Sequence, residues 1–527
     1  MNKEKGTSGI LKDWYSFNLK LVLQGIIIGL LTGLIIVFYR IAIGLGDKYR
    51  GVIYSSLGSK SFLTILLWFV FLGLVGLFLG YIIKLAPMSK GSGIPQIKGF
   101  LIHQVKLDWF RDIIAKFVGG VIALGFGLSL GREGPSVQIG AETGLGFSRL
   151  NKRLPVEEKF LVTAGACAGL ASAFNAPLAG VMFALEELHK YISPVLLMSA
   201  MAASVTGDFV SRYFFGLGPV FQFAEMEAIP LSKYFYVILL GILIGFLGKL
   251  FNWILLFVQK NYSESTSIRE IFKPVLPLLI SGVLGFVLPE VLGGGHHLID
   301  DLSTGHLAAG FIFFLFVAKL LFTGISYGAG VPGGIFLPML VLGALAGKGI
   351  GEILYGFDLI SGELVLNFMT LAMAAFFTAV VKAPITGTIL IMEMTGTFSH
   401  LLALITICLT SYITADVIGS KAIYETLLER MLDKDKNPLE RNRKKSEGKT
   451  IMEVPVMGGS EVDGRKIKDI RWPERFLIVS IRRGERELIP DGNFLLNSGD
   501  CLIMLADNDE APLVKEELLK ITSSYQD

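Results

Sequence analysis

Cysteine is scarce. Cys167, Cys408 and Cys501 stand far apart and form no CxxC pair, so neither a disulfide framework nor a thiolate metal site is implied and they read as apolar fillers. Charge is scarce over most of the chain too: of its Asp, Glu, Lys and Arg, 36 fall in the final 97 residues and 57 in the preceding 430. With a formal net charge of +3 and no basic stripe with interleaved aromatics, a nucleic-acid partner is excluded. No HExxH or GxxxxGK[ST] run is present, which argues against an enzyme, and no cofactor is implied. Residues 1–20 carry Lys3, Glu4, Lys5, Lys12 and Asp13 without an apolar core, so no cleavable signal peptide is read there.

What is abundant is apolar surface. Hydrophobic residues make up 52% of the chain and the mean hydropathy is +0.61, values that fit a lipid solvent better than water. A helix needs about 20 apolar residues to cross a bilayer. Charge-free runs of that order span Leu21 to Phe38, Phe62 to Ile83, Phe160 to Leu185, Leu320 to Gly347 and Leu364 to Val381. The 61 glycines and 19 prolines predict broken helices, because a membrane tolerates freed backbone groups only inside protein or beside a cavity.

The change in charge density places a boundary near residue 430. The organisation expected is a cytoplasmic segment over 1–20, a transmembrane domain over 21–430, a charged linker over 431–450 and a cytoplasmic domain over 451–527. The linker holds five Lys or Arg between Arg441 and Lys449, which puts it on the cytoplasmic side by the positive-inside rule. The tail reads as a small α+β domain, with strands at Phe476 to Ile481 and Cys501 to Leu505, turns GGSEVDG, RRGER and PDGN, and a helix from Ala511 to Ile521. It resembles the TrkA-C regulatory domain. That resemblance implies a small-molecule or nucleotide ligand, with a ligand-free dimerisation module as the alternative.

The membrane part repeats itself. NAPLAGVMFALEE (Asn175 to Glu187) matches KAPITGTILIMEM (Lys382 to Met394), and GREGPSVQIGA aligns more loosely with VPGGIFLPMLVLGA on Gly134 and Gly334. Two similar halves with matching breaks point to a transporter whose site lies between repeats at mid-membrane. In this alignment Glu187 pairs with Met394, and Glu133 with Gly333. Glu186 pairs with Glu393, and both read as structural helix-end acids.

Three Gly/Pro-rich breaks precede apolar runs: GSGIP (Gly91 to Pro95), GREGP (Gly131 to Pro135) and GAGVPGGIFLP (Gly328 to Pro338). Each reads as a helix start, where free N–H groups and the positive dipole end bind an anion without a full charge. GAGVPG also fits GxGxxG, but it lies in a charge-free stretch and lacks the acid that dinucleotide binding needs about 20 residues on. His296 and His297 have no acid or cysteine at ligand spacing, and read as a loop pair, not a metal site.

GSGIP, GREGPSVQIG, FNAPLAGVMFALEE, PGGIFLPM and GSKAIYETLL, in that order over roughly residues 20–430, resemble the ClC family of voltage-gated-type chloride channels and transporters. The resemblance implies an all-α polytopic membrane fold of two inverted-topology repeats with broken helices, to which the small α+β cytoplasmic domain is added. It implies a homodimer with one pore per subunit, multi-pass in a cell membrane, with membrane lipid as a partner, both termini cytoplasmic and a prokaryotic source. It places the anion at the hydroxyls of Ser92 and Tyr424 and the N–H groups of Ile335 and Phe336, with Gly134 beside them. Ser92 matches the chloride-preferring pattern and argues against the nitrate-preferring and fluoride-exporting branches.

Glu133 is then the anion's tethered rival: ionised, it is held by the same amides and closes the path; protonated, it swings away and couples anion movement to a proton. Arg132 beside it reads as a loop anchor ahead of a tuner of the local field. The family's exchangers carry a second, internal carboxylate at the position of Glu187, so chloride/proton exchange is expected. A passive channel of the same fold is the alternative, and a membrane-anchored sensor acting through its tail is a third reading.

Overall fold

The computed structural model describes residues 7–58, 60–190, 194–223, 226–264, 269–305, 307–434, 449–473, 475–483, 486–507 and 511–523. Contacts divide the chain into two units, residues 1–428 and 429–527. Most of the charged linker and part of the RRGER turn lie outside the described residues.

The first half runs α1 (Thr7–Leu57), α2 (Phe62–Leu85), α3 (Ile94–Leu101), α4 (Trp109–Gly125), α5 (Glu133–Leu150), α6 (Pro155–Phe174), α7 (Pro177–Phe183) and α8 (Pro194–Phe215). The second repeats that order as α9 (Tyr234–Glu264), α10 (Val275–Val287), α11 (His296–Thr304), α12 (Ala309–Gly328), α13 (Phe336–Gly356), α14 (Leu364–Val381), α15 (Pro384–Thr395) and α16 (Leu401–Val417). Helix α17 (Ile423–Lys434) follows. Among the described residues seven helices are long and apolar enough to cross a membrane. Their burial sorts them. Helix α14 is almost wholly enclosed, whereas α2 exposes Phe62, Leu66, Val70, Leu74 and Phe78, a stripe at four-residue spacing that suits contact with lipid.

Two of the five apolar runs are not single helices. The run from Phe160 breaks at Asn175, whose backbone is left-handed, and the run from Leu320 breaks between Gly328 and Phe336. The segment assigned to a polar N-terminal stretch is helical from Thr7 onward, continuous with the first span. His296 and His297 are the first two residues of α11, not a loop pair.

The halves match at the backbone level. Asn175 (φ 52°, ψ 40°) and Lys382 (φ 68°, ψ 36°) are left-handed caps, each followed by an alanine in the same unusual conformation, Ala176 (φ −131°, ψ 76°) and Ala383 (φ −125°, ψ 78°). Gly91 and Gly93 (φ 61° and 92°) precede α3 as Gly293 and Gly295 (φ 61° and 90°) precede α11. Buried Lys116 donates to the carbonyls of Ser89 and Gly91, and buried Lys319 to those of Val291 and Gly293.

Equivalent helix starts correct the looser alignment. The first residue of α5 is Glu133 and that of α13 is Phe336, with Pro135 and Pro338 each two positions further on. The counterpart of Glu133 is therefore Phe336 and not Gly333. Adjacent glycines at 333 and 334 permit either register in the sequence, and the helix start selects one.

The halves meet in an antiparallel bridge at Gly131 and in a parallel one between Gly91 and Pro332. Gly131 and its counterpart Gly334 exchange N–H···O=C bonds of 2.7 Å in both directions, as expected across a local two-fold axis. Close helix packing is built on small residues: Gly140 of α5 rests directly on the Gly165 backbone of α6, and Gly343 of α13 on that of Ala372 in α14. Such contacts let membrane helices gain dispersion energy where no hydrophobic drive exists between them.

The second unit is an antiparallel sheet in the order β1-β4-β2-β3, with β1 (Lys449–Pro455), β2 (Phe476–Arg483), β3 (Arg486–Leu488) and β4 (Asp500–Asp507). Helix α18 (Ala511–Ser523) adds Val514 and Leu518 to a core containing Val454, Leu502 and Met504. Asp500 ties the sheet to Arg483 through two 2.7 Å bonds. Burial alone would raise its carboxyl, but Arg483 and the Asn497 amide hold it below the usual range.

Candidate anion and proton site

All three Gly/Pro breaks are helix starts, and backbone bonds stitch them together. Gly91 donates to Val331 (3.2 Å) and accepts from Gly333 (3.0 Å), while Gly131 pairs with Gly334. The beginnings of α3, α5 and α13 thus converge on one buried point. Gly93, the residue before α3, has a left-handed backbone with no room for a Cβ against Gln138, so only glycine serves there. A Cβ on Gly134 would lie 2.9 Å from the Ser92 side chain.

The sequence-predicted anion residues are all enclosed: Ser92 and Tyr424 are buried, as are Gly134, Ile335 and Phe336. Ile335 and Phe336 open α13, so their N–H groups lack an intrahelical acceptor. The Tyr424 hydroxyl is buried with no hydrogen-bond partner among the described residues. The ring of Phe336 packs at 5.0 Å from Phe174 and 4.7 Å from Phe377, which leaves its backbone amide as the polar group toward the site. One hydroxyl escaped the sequence reading: Tyr327, at the end of α12, lies against Ser92.

Glu133 opens α5 and is completely buried. Its side chain curls back over Gly131, where a Cβ would strike its Oε2 and stand 3.1 Å from the Leu337 nitrogen. The amides of Glu133 and Leu337 are near enough to stabilise its charge, yet neither bond reaches good geometry and, among the described residues, both carboxylate oxygens lack a partner. The carboxylate therefore sits between two helix starts. Arg132 Nε lies 3.9 Å from Glu133 Oε1 and is itself unpartnered. That position brings its charge within electrostatic reach of the Glu133 carboxylate.

After α7 the chain makes a π-helical turn, Ala184–His189, and its two adjacent acids go to different partners. Glu186 accepts from the amides of Ile385 (3.1 Å) and Thr386 (2.7 Å) at the start of α15. Glu393 on α15 returns the contact, accepting from Leu178 (3.0 Å) and Ala179 (2.8 Å) at the start of α7. Each repeat caps the other's helix, a structural duty for both acids. Glu187 instead turns inward, is buried, and accepts from Lys98 Nζ at 2.8 Å. Lys190 and Glu425 form a neighbouring pair, and Tyr424 lies within electrostatic reach of both Glu133 and Glu187.

The sequence contains one motif that the reading passed over, GLSLG from Gly127 to Gly131, which has the letters of a nucleophile elbow. Ser129 is buried and its hydroxyl bonds that of Thr323 at 2.7 Å, so its partner is a hydroxyl and not a general base. Among the described residues no three His, Cys, Asp or Glu converge as metal ligands. His296 stacks on Phe221 with ring centroids 5.0 Å apart.

The voltage-gated chloride channel model matches residues 75–416. The chain belongs to the voltage-gated chloride channel family. Residues 451–519 match the TrkA-C domain. The H+/Cl− exchange transporter ClcA of Salmonella arizonae is 34% identical over 430 residues, covering 79% of this chain and 89% of that protein. ClcA of Citrobacter koseri is 35% identical over 433 residues, with the same coverage. A slow cyanobacterial Cl−/H+ antiporter of known structure superposes with a TM-score of 0.75 at 30% identity, over 79% of this chain and 98% of that one. A eukaryotic CLC transporter shares the fold, with a TM-score of 0.66 at 20% identity, over 97% and 90% of the two chains. Family and helices together make this a multi-pass membrane protein and a member of a transporter lineage, not an enzyme.

Proposed function

We propose that this protein exchanges chloride for protons, with Glu133 as the gating carboxylate and Glu187 as the internal acid that passes protons toward it from the cytoplasm. The observation that carries the reading is the placement of Glu133, a sealed carboxylate with unpartnered oxygens between the starts of α5 and α13. A chloride needs the same surroundings. Its central site uses the hydroxyls of Ser92 and Tyr424 with the N–H groups of Ile335, Phe336 and Gly134, donors without net charge, so that binding stays weak enough for release.

When Glu133 is ionised it takes the anion's place; when it accepts a proton its attraction to the amides falls and the path opens. The relatives named as H+/Cl− exchangers support exchange over passive conduction. The working unit of this reading is a homodimer in a prokaryotic cell membrane, surrounded by lipid, with both termini cytoplasmic. The TrkA-C tail takes a small-molecule or nucleotide regulator.

Purified protein in liposomes tests this. An outward chloride gradient is expected to drive protons uphill into the vesicles, with collapse of uptake when a protonophore is added. Chloride flux that moves no protons uphill would establish the passive channel instead.

A further inference from the structure

We infer that Lys98 is a positioning residue that links the proton load of Glu187 to the helix carrying the anion site. The inference rests on the exchange reading for the role of Glu187. Lys98 is the fifth residue of α3, and Ser92 lies just before that helix. Its Nζ is 2.8 Å from Glu187 Oε1, and the two side chains are 8% and 2% exposed.

The other charged groups near Glu187 are Lys190, beyond the π-helical turn, and Glu425 on α17. These pair with each other at a more exposed position, so Lys98 is the cation in direct contact. A buried ion pair holds firmly while both charges persist, and leaves an uncompensated charge when one is lost. A proton arriving from the cytoplasm on the Glu187 carboxylate removes one of them. The Lys98 ammonium then loses its direct partner, keeps only the more distant Glu425, which is itself paired with Lys190, and withdraws toward water.

Helix α3 has eight residues and is preceded by Gly91 and Gly93, both left-handed. Gly91 is fixed by its bonds to Val331 and Gly333, so motion of Lys98 pivots α3 there and displaces Ser92 from the anion. Loading the proton thereby loosens the inner side of the chloride site, and unloading it toward Glu133 restores the pair. The device belongs to one half of the protein. Counting from the matching glycines, the second-half counterparts of Lys98 and Glu187 are Asp300 and Met394, which cannot form it.

The test is chloride flux against internal pH at fixed external pH, with protons counted per chloride, for full-length protein in liposomes. Lys98→Met is expected to move the midpoint to higher internal pH by about one unit or more, the size of effect that an adjacent opposite charge has on a carboxylate, and to lower the proton-to-chloride ratio. Lys98→Arg returns the midpoint toward the parent's. In a Glu187→Gln background, Lys98→Met leaves the profile where Glu187→Gln alone put it. Where Lys98→Met gives no folded protein, Lys98→Gln carries the same expectation. A slower variant with the parent's midpoint and ratio would show a merely structural pair and overturn the inference, as would a shift that persists without Glu187. A parent that moves no protons uphill defeats the exchange reading, and the internal-pH profile still decides the role of Lys98.

Discussion

Glu133 costs the protein something, because an ionised carboxylate with no hydrogen-bond partner is disfavoured in a dry interior unless a compensating field surrounds it. Two helix starts and Arg132 supply that field. Glu133→Gln keeps the shape and removes the charge, so it mimics the protonated gate. The expected outcome in liposomes is chloride movement that persists while uphill proton uptake falls to the leak level; proton uptake retained in that variant would refute the gate assignment. Glu133 was legible because it stands within a motif of glycines and a proline. Lys98 was not, since its partner is 89 positions away and an isolated lysine in GSGIPQIK carries no pattern. Tyr327 was hidden for a similar reason. Lys116 and Lys319 did leave a signal, the shared AK in IIAKFVGG and FVAKLLFTG, but its meaning depends on the carbonyls that each lysine reaches.

At the scale of elements, adjacent acids on one π-helical turn do different work, and the difference can be measured. Glu186 accepts from two helix-start amides of α15 and from the Thr386 hydroxyl, so Glu186→Gln weakens three charge-assisted bonds, a loss of about 1 kcal/mol by comparison with other N-terminal caps. The expected result is a lower Tm in detergent with proton coupling retained per folded molecule. Glu187→Gln differs in the coupling, which is lost, and it lowers the Tm as well because buried Lys98 is left without its direct counter-charge. Equal loss of coupling in both variants would contradict the division of roles. The repeat in NAPLAG and KAPITG made the matching breaks visible, and the identical backbone at Asn175 and Lys382 bears that out. The equivalence of α3 and α11 stayed hidden, because GSGIP and GGGHH share little besides two glycines whose left-handed conformations are what the fold requires. The misregistered counterpart of Glu133 has the same origin: glycines are common in this chain, so glycine alignment alone fixes no register.

The whole molecule combines a membrane unit and a sheet domain that each possess a core of their own. Charge density separated them near residue 430, since lipid and water demand opposite surfaces, and the tail's longer strands and helix followed from alternation and turn residues. Its edge strands β1 and β3 were less legible, being short or set in charged sequence where alternation is weak. The residues proposed to bind the anion and to carry the proton, and Lys98, all lie in the membrane unit, so the proposed exchange is assigned to that unit. Removing Ile451 to Asp527 leaves its buried core and every one of those contacts in place. The truncated protein is therefore expected to fold and to retain proton-coupled chloride flux, with changes confined to rate or to the response to a ligand of the TrkA-C domain. A folded truncation without flux, checked by its elution as a single species and by chloride binding, would move the sensor reading ahead of the transporter one.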